Sequence, residues 1–290
     1  MQQLDPRLHA SRPDLADARL AGKVAAARFA EGRPARVIAG MAAVRREPRP
    51  DAETLTFYQY GEPVLVFDEA GGFAWCQSQL DSYVGYVEAG QLAPGPIPAP
   101  TLFVATLGAY RYAAPDLRSP PLDFLPRHSA AVVAETGFLT RGTEYARLDT
   151  GGFLPLACLA PEPPRSPSLA AAAALYLGCP YLWGGRSFLG LDCSGLVQNS
   201  FRDLGVTVPR DTDQQRDAIG APVAIAREGD LLPGDLLFLP GHVLVHAGDG
   251  AAIHADGASM MVRRDDLAAL MRERGLGLAD FVVRRPSPAA

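Results

Sequence analysis

Residues 180–198, PYLWGGRSFLGLDCSGLVQ, constrain this chain more than any other stretch. An aromatic, glycine-rich approach ends in Asp192-Cys193-Ser194-Gly195. Leu196, Val197, Ser200, Phe201 and Leu204 then recur at i, i+3, i+4 spacing, which predicts a helix from about Cys193 that stops before Gly205. A thiol at that position sits among unpaired backbone N–H groups at the positive end of the helix dipole, and both favour thiolate over thiol. A free cysteine is most often a buried structural residue, but Asp192 and Ser194 on either side argue against purely apolar burial. Cys193 therefore reads as a nucleophile.

A nucleophilic thiol needs a proton acceptor. Three of the five histidines fall in residues 241–257, GHVLVHAGDGAAIHADG, after the strand signal of residues 235–239. His242, Leu244 and His246 share one face of a strand, with Val243 and Val245 on the other. Gly248-Asp249-Gly250 supplies a hairpin, and residues 251–255 a returning strand that carries His254. Two neighbouring strands can set His242 against the cysteine and His254 behind it, where it orients the first imidazole through its other nitrogen. His246 reads as a core histidine.

The order of these motifs, DCSG, then Pro233-Gly234-Asp235 before an apolar strand, then His242-Val243, then Gly248-Asp249-Gly250 and Ile253-His254-Ala255, resembles the NlpC family of papain-like cysteine peptidases, which cut bacterial cell-wall peptides. The match covers about the last 120 residues. The resemblance implies Cys193 as nucleophile, His242 as general base, His254 as the orienting residue and Tyr181 as a tyrosine beside the nucleophile. It also implies that Arg210-Asp211-Thr212 corresponds to the family's R-D-S segment lining the substrate cleft, with a threonine in place of the serine.

Composition limits the remaining possibilities. Apolar and charged fractions of 48% and 20% suit a globular protein, and a net charge of −5 argues against nucleic acid or an anionic membrane as partner. The four cysteines, Cys76, Cys158, Cys179 and Cys193, form no CxxC pair, so neither a zinc site nor a disulfide framework is signalled. No metal or organic cofactor is expected. Residues 1–32 lack the apolar run of a secretory signal, and no 18-residue apolar stretch is present, so a cytoplasmic location is the default expectation. Ala16, Leu20, Val24 and Ala27 instead suggest an amphipathic helix started at Pro13-Asp14 and ended at Gly32.

From residue 35 to about 92 the period changes to two, in short strand-like pieces at 35–38, 42–45, 54–58, 63–68, 73–77 and 83–87 separated by Gly, Pro and Asp, which indicates a small β-barrel. Residues 60–87 resemble the bacterial SH3-like modules that often accompany this peptidase family. Residues 102–160 repeat the pattern weakly, and the proline-rich residues 161–167 form a stiff connector. A helix is expected over 169–177, a polar helix around 265–274, a closing strand at 281–284 and disorder in the last residues. The expected fold is α+β: a papain-like NlpC catalytic domain (163–290) preceded by two SH3-like β-barrels (34–95 and 96–162) and an N-terminal helical segment (1–33).

Family members with two such modules cleave between D-γ-glutamyl and a diamino acid in murein peptides that carry a free N-terminal L-alanine. By that resemblance, Asp192 and Ser194 beside the nucleophile, with Glu62 and Tyr83 from the first module and Arg210, Asp211 and Thr212, are the candidate substrate-binding residues. Glu62 as a turn acid and Tyr83 as a barrel-wall aromatic are the competing structural readings. Outside that substrate class, a thiol–imidazole pair also suits a broader murein hydrolase or an amidase or acyltransferase. A cell-wall binding protein without activity conflicts with an intact Cys193, His242 and His254.

Overall fold

The computed structural model describes residues 4–287. The chain divides into two compact units, Met1–Pro164 and Arg165–Ala290.

The first unit is nearly all β. In its leading module, seven strands form one sheet in the order Thr54–Gln59, Met41–Arg45, Val84–Glu88, Phe73–Ser78, Pro63–Ala70, Arg33–Val37 and Leu92–Pro94. Alternating inward residues, among them Val37, Ala42, Val44, Tyr58, Val64, Val66, Cys76 and Val87, make its core. The second module places Leu102–Val104 between Ala130–Ala131 and Leu159–Ala160. It adds a five-stranded sheet ordered Pro121–Pro126, Gly108–Tyr112, Phe153–Pro155, Thr143–Leu148 and Val133–Thr140. Tyr60 of the first module packs into the core of the second with Val104, Leu125, Leu148 and Leu154. Gly61, at φ +81°, follows it, and a Cβ there would lie 2.1 Å from the Ala130 carbonyl oxygen. Arg36, buried, reaches Asp149 at 2.7 Å.

The amphipathic helix expected near the N-terminus does not form. Leu15–Asp17 is instead a short strand paired in parallel with Arg28–Ala30, and Asp17 caps a single 3₁₀ turn, Ala18–Leu20. Tertiary packing overrides the local period here. Leu15 and Ala10 bury against Phe67, Trp75 and Val84, while the Arg12 guanidinium stacks 4.4 Å from the Trp75 ring centroid and binds Asp14, Asp68 and the Tyr86 hydroxyl.

The second unit is α+β. Six antiparallel strands run in the order Ala221–Val223, Val282–Arg285, Leu236–Leu239, His242–Gly248, Ala251–Asp256 and Met261–Asp266. Helices α1 (Leu169–Ala174) and α2 (Cys193–Asp203) pack on each other and on the two central strands, His242–Gly248 and Ala251–Asp256. A short helix α3 (Thr212–Ala218) follows. Helix α4 (Leu267–Arg274) joins Leu237, Leu244, Ala252, Phe281 and Val283 in a separate core. The polar helix expected from residue 265 starts two residues later: Asp265 still pairs with Ala252 in the sheet, and the Asp266 side chain accepts the Ala269 N–H as N-cap. The expected disorder of the last residues concerns residues outside the described ones. Among the described residues no helix is long and apolar enough to cross a membrane.

Candidate active site

Cys193 is the first residue of α2. Asp192, extended at φ −99° and ψ 178°, caps the helix by accepting the Gly195 N–H at 2.7 Å. Gly195 is required at this turn because a Cβ would sit 2.2 Å from the Gly185 carbonyl oxygen. Only Arg202 of α2 escapes burial, so the helix is held from nearly all sides and its first residue is positioned with it.

The Asp192 carboxylate also accepts from Gly184 N–H at 2.8 Å, from the Ser194 hydroxyl at 3.3 Å, and from Arg210 at 3.0 and 2.7 Å. Arg210 is 1% exposed, and it donates to the Ser194 hydroxyl at 2.7 Å as well. A guanidinium this deeply buried must be paired. Asp192, Ser194 and Arg210, expected to meet substrate, here engage one another and form the frame beneath the nucleophile. Asp211 is the N-cap of α3, and Thr212 is the member of the segment that faces the thiol, its Oγ1 3.8 Å from Cys193 Sγ.

Opposite the thiol, Cys193 Sγ lies 3.9 Å from the carbonyl oxygen of Gly241, the residue that opens the His242 strand. His242 Nε2 is 2.9 Å from His254 Nδ1, with the rings 5.1 Å apart at 73°. His254, fully buried, places its Nε2 2.9 Å from Asp265 Oδ2. Arg263 in turn holds Asp265 Oδ1 at 2.8 Å through Nε. The proton positions follow from these contacts. A carboxylate only accepts, so His254 Nε2 carries a proton; its Nδ1 lone pair then accepts from His242 Nε2–H, which leaves the His242 lone pair on Nδ1.

Asp265 is a residue that sequence reasoning missed. The sequence pattern places it at the start of a helix, whereas it extends the strand that pairs with His254's strand, where His254 faces Arg263. In the strand Met261–Asp266 the period of two puts Arg263 and Asp265 on one face.

The resting protonation differs from the expected thiolate. Burial foremost, and then the Asp192 charge, push the Cys193 thiol up, against the smaller lowering effects of the Thr212 hydroxyl, the Val243 N–H and Arg210. Burial, with the neighbouring His254 and Arg274, brings His242 down to about 4. The pair therefore rests as neutral thiol and neutral imidazole. The helix terminus does not offset the loss of water around a cysteine that is 6% exposed. Tyr181 is raised to about 12, by burial first and then by Cys193 and Asp192, so its hydroxyl keeps its proton and remains a hydrogen-bond donor.

His246 stands apart from this group, with its Nδ1 donating to the Leu232 carbonyl at 3.0 Å. In the first unit, Glu62 and Tyr83 are 3% and 2% exposed. Glu62 accepts from the Gln59 N–H at 3.1 Å and the Ser78 hydroxyl at 2.6 Å, and Tyr83 packs in the core of the first module. Both act within the barrel itself. No group of three or more His, Cys, Asp or Glu side chains among the described residues could hold a metal ion.

Comparison with known proteins agrees with this geometry. Residues 178–275 match the NlpC/P60 family, and residues 44–92 match the bacterial dipeptidyl-peptidase SH3 domain. The chain is similar to dipeptidyl-peptidase 6 of Lysinibacillus sphaericus, 39% identical over 88 residues, which cover 30% of this chain and 31% of that protein. It is also similar to the γ-D-glutamyl-L-lysine dipeptidyl-peptidase of Bacillus cereus, 35% identical over 108 residues, 34% of this chain and 31% of that protein. The chain thus spans less than a third of the length of these relatives. An NlpC/P60 family protein from Bacillus cereus shares the fold at a TM-score of 0.70 and 20% identity, covering 89% of this chain and all of that one. The chain thus carries an NlpC/P60 domain at residues 178–275, preceded in sequence by a bacterial dipeptidyl-peptidase SH3 domain at residues 44–92.

Proposed function

We propose that this protein is a cysteine endopeptidase that hydrolyses the γ-D-glutamyl–diamino acid bond of murein peptides bearing a free N-terminal L-alanine. The observation that carries the reading is the thiol at the start of α2, 3.9 Å from the carbonyl oxygen of the residue before His242, together with a His242 imidazole whose Nδ1 lone pair is fixed by His254 and Asp265. The Cys193 S–H proton passes to His242 Nδ1 as sulfur bonds to the scissile carbonyl carbon. The Cys193 N–H at the helix start and the Tyr181 hydroxyl stabilise the oxyanion. The C–N bond breaks as the imidazolium returns its proton to the leaving amine. Water, deprotonated by the same imidazole, then hydrolyses the thioester and restores the thiol.

The substrate class rests on the SH3 match and on relatives named for dipeptidyl-peptidase and γ-D-glutamyl-L-lysine chemistry. An N-terminal ammonium requires carboxylate or hydroxyl partners. The acceptors expected for it, Asp192, Glu62 and Tyr83, are each engaged within their own unit, so the preference for a free N-terminus rests on the family resemblance alone. The test is mass spectrometry of products from L-Ala-γ-D-Glu-diaminopimelate and L-Ala-γ-D-Glu-L-Lys, each free, N-acetylated and joined to muramic acid. Release of L-Ala-γ-D-Glu from the free peptides alone is expected. Equal kcat/KM on the acetylated or muramic-acid-linked peptides would make the enzyme a broader murein hydrolase, and no cleavage of any of them would overturn the reading.

A further inference from the structure

Beyond the three residues implied by the family resemblance, we infer that Asp265, clamped by Arg263, is a positioning residue that fixes the protons of both active-site histidines, and that Arg263 determines which atom of residue 265 meets His254. This rests on the proposed thiol–imidazole reaction, but it can be measured without a substrate.

The chain of contacts is continuous. Arg263 binds Asp265 Oδ1, at 2.8 Å from Nε and 2.6 Å from Nη2, which directs Oδ2 to His254 Nε2 at 2.9 Å, and His254 Nδ1 meets His242 Nε2 at 2.9 Å. Strand register sets this order, because Arg263 lies opposite His254 and Asp265 opposite Ala252. Every link has a defined direction: guanidinium only donates, carboxylate only accepts, and each neutral imidazole donates from one nitrogen and accepts at the other. The only arrangement that satisfies all links protonates Nε2 on both histidines and leaves the base at His242 Nδ1.

Asp265→Asn tests this logic because the substituted side chain has the same shape but two unlike ends. Arg263 takes the amide oxygen, since it cannot accept from the amide nitrogen. The NH2 group is then turned toward His254 and donates to Nε2. His254 must carry its proton on Nδ1, His242 must accept at Nε2, and the His242 proton moves to Nδ1, which then has no lone pair with which to take the Cys193 proton. Removing Arg263 as well frees the amide to turn over, so that its oxygen accepts from His254 Nε2–H and the original tautomers return. Arg263 is about half exposed in its side chain, so its loss alone is mild.

The experiment compares wild type, Asp265→Asn, Arg263→Ala and the double variant by three readouts. These are kcat and KM on L-Ala-γ-D-Glu-L-Lys, the iodoacetamide alkylation rate of Cys193, and ¹⁵N NMR of the histidine rings at pH 7. Asp265→Asn is expected to lower kcat roughly a hundredfold or more with KM little changed. Arg263→Ala is expected to stay within about threefold of wild type, and the double variant to recover at least about tenfold over Asp265→Asn. The NMR spectrum of wild type should show both histidines protonated on Nε2, and that of Asp265→Asn both on Nδ1. A kcat for Asp265→Asn within about threefold of wild type, or a double variant no faster than Asp265→Asn, overturns the inference. So does an Nδ1-protonated His242 in wild type, a result that needs no variant to fold. If wild type cleaves none of the peptides, the substrate reading fails, while the alkylation and NMR readouts still decide the role of Asp265.

Discussion

The two sides of Cys193 are built on opposite principles. On one side, Asp192 and Arg210 form a buried ion pair with both carboxylate oxygens and the guanidinium engaged, at 5% and 1% exposure. On the other, the reacting atoms are left short of partners. The Cys193 sulfur has long contacts, 3.8 Å to Thr212 Oγ1 and 3.9 Å to the Gly241 carbonyl oxygen, and His242 is held by a hydrogen bond at Nε2. The frame is saturated so that it cannot move, and the reactive pair is unsaturated so that its next bond goes to substrate. Charge is handled in the same way: the frame keeps its charges and pairs them, whereas burial strips the charges from the thiol and the imidazole.

The largest expected effect falls on the unsaturated side. Cys193→Ala and His242→Ala should each remove at least about 10³-fold of kcat/KM, and the double variant should lose little more, because thioester formation requires both. Circular dichroism and thermal melts close to wild type are expected for both variants. Residual turnover by Cys193→Ala above that level would place the nucleophile elsewhere.

The saturated side should fail differently. Arg210→Ala leaves Asp192 buried without its cation, and Asp192→Ala leaves Arg210 so. Either is expected to destabilise the fold by about 3–5 kcal/mol, measured by urea unfolding. Replacing both by apolar residues of similar size should cost less than either alone, since no stranded charge remains. A loss within about 1 kcal/mol for the single variants would mean that the pair is not the frame it resembles.

What could be read beforehand divides along a similar line. The nucleophile helix, its cap and the His242 and His254 strands were legible because each is a local pattern: DCSG before an i, i+3, i+4 run, and alternation around Gly248-Asp249-Gly250. Asp249 and Gly250 both adopt positive φ, as such a turn demands. The role of Asp265 was not legible, because it depends on which residue of one strand lies opposite which residue of the next. The pairing of Asp192 with Arg210 spans 18 positions and is a tertiary fact that no local pattern carries. The N-terminal segment fails for a related reason. Ala16, Leu20 and Val24 match a helix, but Leu15, absent from that pattern, is fully buried, and Arg12 reaches Trp75.

The pH profile sharpens the electrostatic half of the comparison. With His242 near 4 in the free enzyme, the imidazole stays neutral, and competent as a base, down to about that pH. The acid limb of kcat/KM should therefore fall near pH 4 rather than near the ordinary histidine value of about 6.5. Stability follows the same sign. The unfolded chain binds the proton first, so the stability contributed by neutral His242 is full above about pH 6.5 and is lost as pH falls toward 4. Allowing for its partial exposure, the loss is about 1–2 kcal/mol. An acid limb near 6.5 would mean that burial does not lower His242 in the free enzyme.

The smallest expected effect lies at the Thr212 hydroxyl, close to the thiol. Thr212 Oγ1 is 3.8 Å from Cys193 Sγ and acts to lower a thiol that burial raises. Thr212→Val keeps the branched shape at the first position of α3 and removes only the hydroxyl, so any change isolates that contact from packing. A weak hydrogen bond to sulfur is worth about 0.5–1 kcal/mol, which predicts a two- to fivefold slower alkylation of Cys193 at a fixed pH near neutrality, with the rate-versus-pH curve displaced upward in pH. Thr212→Ser should match wild type within about twofold, because the hydroxyl is retained and only the methyl is lost. The order valine slower than threonine, with serine equal to threonine, ties the effect to the hydrogen bond. If serine were as slow as valine, the methyl would be what positions the thiol, and Thr212 would belong with the saturated frame rather than with the reactive pair.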